Sequence, residues 1–309
     1  MQIIKDENFR LNNSIVTLGK FDGNHIGHKS LFKKAKEIKD ASGSLLNTVI
    51  FTFDVNPRSV AQEGPSCLLY TNTERLEIEE GEGMDYCFVW PFTGKNMSME
   101  PEDFVKTVLH EQLGTKHIVV GEDFRFGKNR RGDTALLSSL EEKFGFKLHT
   151  VSKIKYKGED VSSSWIKKEI LEGNLDSANY MLGRPFAVSA KVVSGKHLGK
   201  SLGFPTINFE APEGKVIPPD GVYATKTTVC GRTYLSMTNI GTRPTFEEGA
   251  CRNIETNIFD FDENIYEKTA RVEFYKFIRP EIHFSSSEEL VAEIDRNRRE
   301  IRDFFENPC

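Results

Sequence analysis

At 309 residues the chain is longer than a single hydrophobic core usually grows, so two domains are expected. Its 38% hydrophobic and 28% charged residues exclude disorder, and a net charge of −5 argues against a nucleic-acid binder. A charged N-terminus and the lack of an apolar run of about 20 residues speak against a signal peptide or membrane span, so a cytoplasmic protein is expected. Cys67, Cys87, Cys230, Cys251 and Cys309 are odd in number and lack CxxC spacing, which predicts free thiols rather than disulfides or a zinc site.

In chain order, residues 15–18 read as a buried strand. A glycine-rich turn follows, then a helix with Leu31, Phe32, Ala35 and Ile38 at helical spacing. Residues 48–53, 86–89 and 117–121 are further apolar strands. Between the last two lies a helix with Pro101 in its first turn and Phe104, Val105, Val108 and Leu109 on one face. Strands alternating with amphipathic helices predict a Rossmann-like α/β domain, its parallel sheet covered on both faces and its ligands at the carboxyl ends of the strands.

A single helix over residues 162–181, with Ile166, Ile170, Leu171, Leu175 and Ala178 inward, is expected to end at Gly183, so domains of 1–182 and 183–309 are predicted. Beyond it, residues 186–193, 222–229, 233–237, 254–261 and 270–277 are rich in β-branched and aromatic types. With no helix between them they predict an antiparallel barrel or sandwich. Ser286 and Glu289 open a closing helix with Leu290, Ile294, Ile301 and Phe305 inward.

The chemistry concentrates first in LGKFDGNHIGH, residues 18–28. His25 and His28 are three apart with no acid between them, unlike the four-residue spacing around a glutamate in zinc proteases, so a metal role is set aside. A strand feeding a glycine turn into a helix aims backbone N–H groups and the positive end of the helix dipole at an anion, and imidazoles in the first turn can donate to phosphate oxygens. Phe21 reads as core, and Asp22 either forms the turn or orients a nucleotide. The basic loops RFGKNRRG (residues 125–132) and GKHLGK (residues 195–200) are the other candidate anion sites.

The turn resembles the GxFDGxHxGH signature of the nucleotidyltransferase domain of bifunctional bacterial riboflavin kinase/FAD synthetases, a HIGH-type motif. GEDFRFGKNRRGD (121–133), LGRPF (182–186), LGFPTINF (202–209) and NIGTRPTF (239–246) continue the resemblance in order along the chain. The resemblance implies an N-terminal domain that transfers AMP from ATP to FMN. His25 and His28 would stabilise charge there, with Gly19, Phe21, Asp22, Gly23 and Gly27 at the nucleotide and Asp123, Phe124 and Phe126 at the flavin. One of the two phenylalanines would stack on it. Ser162, Ser163, Ser164 and Lys167 would also meet the nucleotide. The family's ISSTRIR is here VSSSWIK, so Trp165 and Lys167 stand where arginines are usual, and Asn56 replaces a common histidine in the TFxPHP-like segment.

For the C-terminal domain, a β-barrel with a terminal helix, the resemblance implies phosphorylation of riboflavin by ATP. Thr206 and Asn208 would hold Mg²⁺, and Gly195, Lys196, Gly199 and Gly203 would approach the nucleotide. Glu255 would take the proton of the ribityl hydroxyl, and Arg279 would meet the flavin. The basic residues Arg296, Arg298 and Arg299, with Arg279, are within the reading of a flavin-phosphate contact, but as a group they read first as a solvated helix face. The implied ligands are riboflavin, FMN, FAD and ATP, with no nucleic acid, membrane or protein partner. The substitutions also frame a kinase with weakened or lost adenylyltransferase activity. A non-catalytic flavin-binding regulator is a further alternative, against which the two histidines, the PTIN string and Glu255 stand.

Overall fold

A computed structural model describes residues 1–54, 68–91, 93–193, 204–242 and 252–307. Two compact units divide the chain, Met1–Ser163 and Ser164–Cys309. Gly195, Lys196, Gly199, Gly203 and Asn56 lie outside the described residues.

The first unit is built on strands β1 (Gln2–Ile4), β2 (Ser14–Leu18), β3 (Asn47–Asp54), β4 (Tyr86–Pro91), β5 (Thr115–Gly121) and β8 (Lys147–Val151). Their order is β1-β4-β3-β2-β5-β8 and every pairing is parallel. The expected four strands are present, and β1 and β8 extend the sheet at its two edges. After β2 the chain builds toward β3 and β4 on one side, and β5 then returns to pair with β2 on the other. The reversal falls at β2 and β5, and the carboxyl ends of strands at such a reversal are the usual ligand position in parallel sheets.

Helix α1 (Ile26–Ala41) leaves the glycine turn and buries Leu31, Phe32 and Ala35 with Ile15, Ile50 and Val119 on one face of the sheet. Helix α2 (Asn72–Glu80), unmarked in the sequence reading, starts at a reciprocal capping box of Thr71 and Glu74. The Pro101 helix, α3, begins at Pro101–Asp103 and continues as a π-helix over Phe104–Gln112. Phe104, Val105, Val108 and Leu109 face the second core, with Val16, Phe51 and Val120. After β5 come a short hairpin, β6 (Arg125–Phe126) and β7 (Gly132–Asp133), and helix α4 (Thr134–Ser139) capped by Asp133. A second hairpin, β9 (Lys155–Tyr156) and β10 (Glu159–Asp160), follows β8.

The single helix expected over 162–181 is two, α5 (Ser163–Leu171) and α6 (Leu175–Leu182), because Gly173 adopts φ +79° between them. Gly183 ends α6 in the left-handed conformation, as its position predicts. The contact division falls between Ser163 and Ser164, ahead of the junction expected at 182/183. The cause lies in α6: Asn179 donates to the Phe274 carbonyl at 2.9 Å and accepts from the Phe186 amide at 2.7 Å, binding the helix to the second unit's sheet.

That sheet comprises β11 (Phe186–Lys191), β12 (Thr206–Glu210), β13 (Gly221–Val229), β14 (Arg232–Thr242), β15 (Arg252–Ile258) and β16 (Thr269–Arg279), in the order β11-β16-β13-β14-β15-β12. All pairings are antiparallel, and an isolated bridge from Val193 to Asn208 joins the two edges into a barrel. One inward strip is polar. Thr225, Thr227, Ser236, Thr238 and Thr256 are fully buried and hydrogen-bond to one another at 2.8–2.9 Å. Helix α7 (Ser287–Glu306), capped by Ser286, packs Ile301, Phe304 and Phe305 outside, near Ala224 and Met237.

Candidate active sites

The glycine turn places both histidines at the start of α1. His25 is its N-cap, 6% exposed, and His28 lies in the first turn. Their rings stack with centroids 3.7 Å apart and planes 20° apart, so they form one surface at the positive end of the helix dipole. The spacing of three makes this possible, because residues i and i+3 share a helix face. Phe21, Gly23 and Asn24 have φ of +49°, +86° and +41°, a backbone course that needs anchors to persist. Two anchors come from Asp22: its carboxylate accepts from the Leu69 amide at 2.9 Å and its carbonyl from the Ser163 hydroxyl at 2.7 Å. Gly27 lies close to the histidine, and a Cβ there would sit tightly, 3.1 Å from the His25 ring.

Phe21, grouped above with the nucleotide contacts, is 1% exposed in the core under the turn, its ring T-shaped to that of His28 at 5.2 Å, and a Cβ on Gly19 would strike the Phe21 ring at 2.9 Å. Gly19 therefore admits Phe21. Phe126 is 8% exposed and packs on Phe104 and under Gly132, so it lies in the core. Phe124 stacks parallel to it at 5.6 Å, is only partly buried, and is the ring with a face to offer. Asp123 is exposed and ion-paired with Lys153 at 3.0 Å.

Of the serine run, Ser162 is exposed and Ser163 reaches Asp22, whereas Ser164 and Lys167 belong to the second unit. The Trp165 indole N–H donates to Glu169 at 2.8 Å. Sequence reasoning passed over Arg75, a buried cation whose guanidinium donates to the carbonyls of Lys20 and Phe53, both at 2.9 Å. A charged residue on a short, highly charged helix carries no outward sign of such a role.

In the second unit, strand register assembles the site. The Thr206 hydroxyl donates to Glu255 Oε1 at 2.9 Å across the β12–β15 pair. Asn208 is directly opposite Glu255, 3% exposed, and its side-chain oxygen accepts from Asn253 at 3.3 Å. Thr206 also borders a recess of about 300 Å³ with Val192, Ile258, Phe261 and Tyr266. The three oxygen-bearing side chains therefore converge on one face of two strands, with a cavity beside them.

Arg279 stands in the same cross-strand row as Glu255, through Val222 and Asn239, but three strands away. Its guanidinium is tied to α7, donating to Asn297 at 2.9 Å and ion-paired with Glu293 at 3.0 Å. Burial lowers its pKa, and Glu293 opposes that shift. Arg296 pairs with the same Glu293, while Arg298 covers the Phe259 ring at 4.8 Å.

Among the described residues no group of three or more His, Cys, Asp or Glu is placed to hold a metal ion, and no helix is long and apolar enough to cross a membrane.

Residues 8–165 match the model of the FAD synthetase family and residues 182–305 that of the riboflavin kinase family. A bifunctional riboflavin kinase/FMN adenylyltransferase from Listeria monocytogenes is 34% identical, over 95% of this chain and 93% of its own. Its counterpart in Bacillus subtilis is 32% identical over 99% and 96%. A crystal structure described as a macrolide-efflux protein from Streptococcus pneumoniae superposes with a TM-score of 0.87 at 28% identity, covering 98% of this chain and 99% of that one. The two collinear family matches coincide with the two site geometries, and the chain belongs to the bifunctional riboflavin kinase/FMN adenylyltransferase family.

Proposed function

We propose that the stacked histidines carry adenylyl transfer to FMN in the first unit. In the second, Thr206, Asn208 and Glu255 carry phosphorylation of riboflavin, so that one cytoplasmic chain leads from riboflavin through FMN to FAD. The observation that carries this reading is that each unit holds its own set of groups, suited to one of the two steps.

In the first step an FMN phosphate oxygen attacks the α-phosphorus of ATP as the bond to pyrophosphate breaks. The nucleophile comes with the substrate, so the protein has only to align the groups and stabilise charge. His25 and His28 donate hydrogen bonds to the phosphate oxygens from the helix N-terminus, where a buried, fixed donor is most effective. Phe124 offers its open face to the isoalloxazine.

In the second step Glu255 accepts the proton of the ribityl hydroxyl on a carboxylate oxygen as that hydroxyl's oxygen bonds to the γ-phosphorus of ATP and the bond to ADP breaks. The Thr206 hydroxyl, donating to Oε1, holds that carboxylate in place. Thr206, Asn208 and Glu255 are hard oxygen donors and fit Mg²⁺. Thr206 and Asn208 would hold the ion, which supplies neutralisation of phosphate charge when bound.

Incubating the protein with riboflavin, ATP and Mg²⁺ and separating the flavins tests both steps. FMN should form first and FAD after it; formation of neither overturns the reading.

A further inference from the structure

The turn that carries the histidines is held from below by a charge that the chemistry does not use. Arg75, on α2, is 4% exposed. One terminal nitrogen donates to the Lys20 carbonyl at 2.9 Å and to the Thr52 hydroxyl, and the other donates to the Phe53 carbonyl at 2.9 Å. Lys20 follows β2 in the glycine turn, whereas Thr52 and Phe53 end β3, its parallel neighbour. A single planar fork therefore joins the carboxyl ends of two adjacent strands where they border the candidate site.

Burying a guanidinium costs several kcal/mol unless its hydrogen bonds and charge are matched. Here the three oxygens take its hydrogen bonds, and Glu79, one turn further along α2 and fully buried, lies 4.0 Å from Arg75 Nε. Cys87 of β4 donates to the other oxygen of Glu79 at 3.3 Å. Ordinary packing of a helix on a sheet does not require such a group. A turn with left-handed backbone at Phe21 and Asn24, two non-glycine residues ahead of its first histidine, does require fixed points, and the Lys20 carbonyl lies one residue ahead of Phe21.

We propose that Arg75 is a positioning residue for adenylyl transfer, fixing the glycine turn against the end of β3 so that the His25–His28 pair meets the triphosphate at reacting distance. The inference rests on the adenylyltransferase reading of that site. It extends the machinery to a helix that touches no substrate.

The test uses the full chain and three variants, Arg75→Gln, Arg75→Lys and the charge-balanced double Arg75→Gln/Glu79→Gln, with riboflavin phosphorylation measured in the same preparations. A displaced turn should lower kcat for FAD formation at least about tenfold and raise KM for ATP about fivefold, since small misplacements of aligned groups are costly. Riboflavin phosphorylation should stay at the wild-type rate. Lysine, a point donor that cannot bridge both strands, should give intermediate values. The double variant avoids an uncompensated buried charge and should keep the wild-type melting temperature while still losing FAD synthesis. Wild-type KM for ATP in the variants, with only a fall in kcat that follows loss of folded protein, would show a purely structural role and overturn the proposal. So would wild-type FAD synthesis in the double variant. A wild-type enzyme that forms FMN but no FAD would instead remove the reading on which the proposal stands.

Discussion

The two candidate sites are built on opposite plans. In the first unit the chemistry lies within one local stretch, residues 18–28, where a strand, a turn and a helix start follow in succession, and distant residues such as Asp22's partner Leu69 only hold it in shape. In the second unit Thr206 and Glu255 are far apart in sequence and meet at 2.9 Å because β12 pairs with β15 in one register. A local site depends on its backbone course, and a register site depends on its sheet. Substitutions in the two should therefore fail separately.

The largest effect is expected from Glu255→Gln. Without a base, riboflavin phosphorylation should fall by about 10²–10⁴-fold, while FAD formation from supplied FMN proceeds at the wild-type rate. His28→Ala should do the reverse, lowering FAD formation by about 10²–10³-fold with phosphorylation intact. Separate assays of the two reactions check both, and a loss of both activities in either variant would break the picture of independent sites.

The same contrast explains what could be read from the sequence. The histidine turn is visible because its spacing is short, and the parallel sheet because buried strands read as unbroken apolar runs. Strand β12 has no such run: Thr206–Glu210 alternates polar and apolar residues behind a proline, and on residue types alone its start reads as an ordinary loop entering a strand. The role proposed for Glu255 likewise rests on family resemblance, since an alternating strand residue carries no chemical mark. Phe124 and Phe126 show a finer limit. They share a parity, yet one lies beneath the other in the core, a difference set by Phe104 and Gly132. Arg75 was hidden because burial of a helical charge is decided by what the helix packs on.

The interiors beside the two sites also differ in how they respond to pH. The barrel's buried polar strip consists of hydroxyls, which keep their charge state across the ordinary range. The first unit instead buries Glu79. Burial raises its pKa from 4.5 to about 7, although Arg75 pulls it down. Its folded pKa lies above its unfolded one, so its contribution is fully present below about pH 4.5 and is lost as pH rises through about 7. The loss should be on the order of 3 kcal/mol. Glu79→Gln should flatten this part of the stability curve. Denaturant unfolding of the full chain, followed through Trp90 in a Trp165→Phe background, measures it between pH 5 and 8; an unchanged slope would show that Glu79 ionises freely in the fold.

The smallest effect concerns the two positions where the chain departs from its family's arginines. Lys167 keeps a positive charge but lacks the planar fork that grips two phosphate oxygens at once. Trp165 brings no charge, and its one N–H donor is directed to Glu169. Restoring both arginines should raise FAD formation about threefold to tenfold, the worth of one added charge-assisted contact, and leave riboflavin phosphorylation unchanged. The gain should shrink with added salt if it comes from charge on a partly exposed helix turn. A gain that persists at high salt would favour the fork geometry, and no gain would mean that the histidine turn already supplies all the stabilisation the phosphate receives.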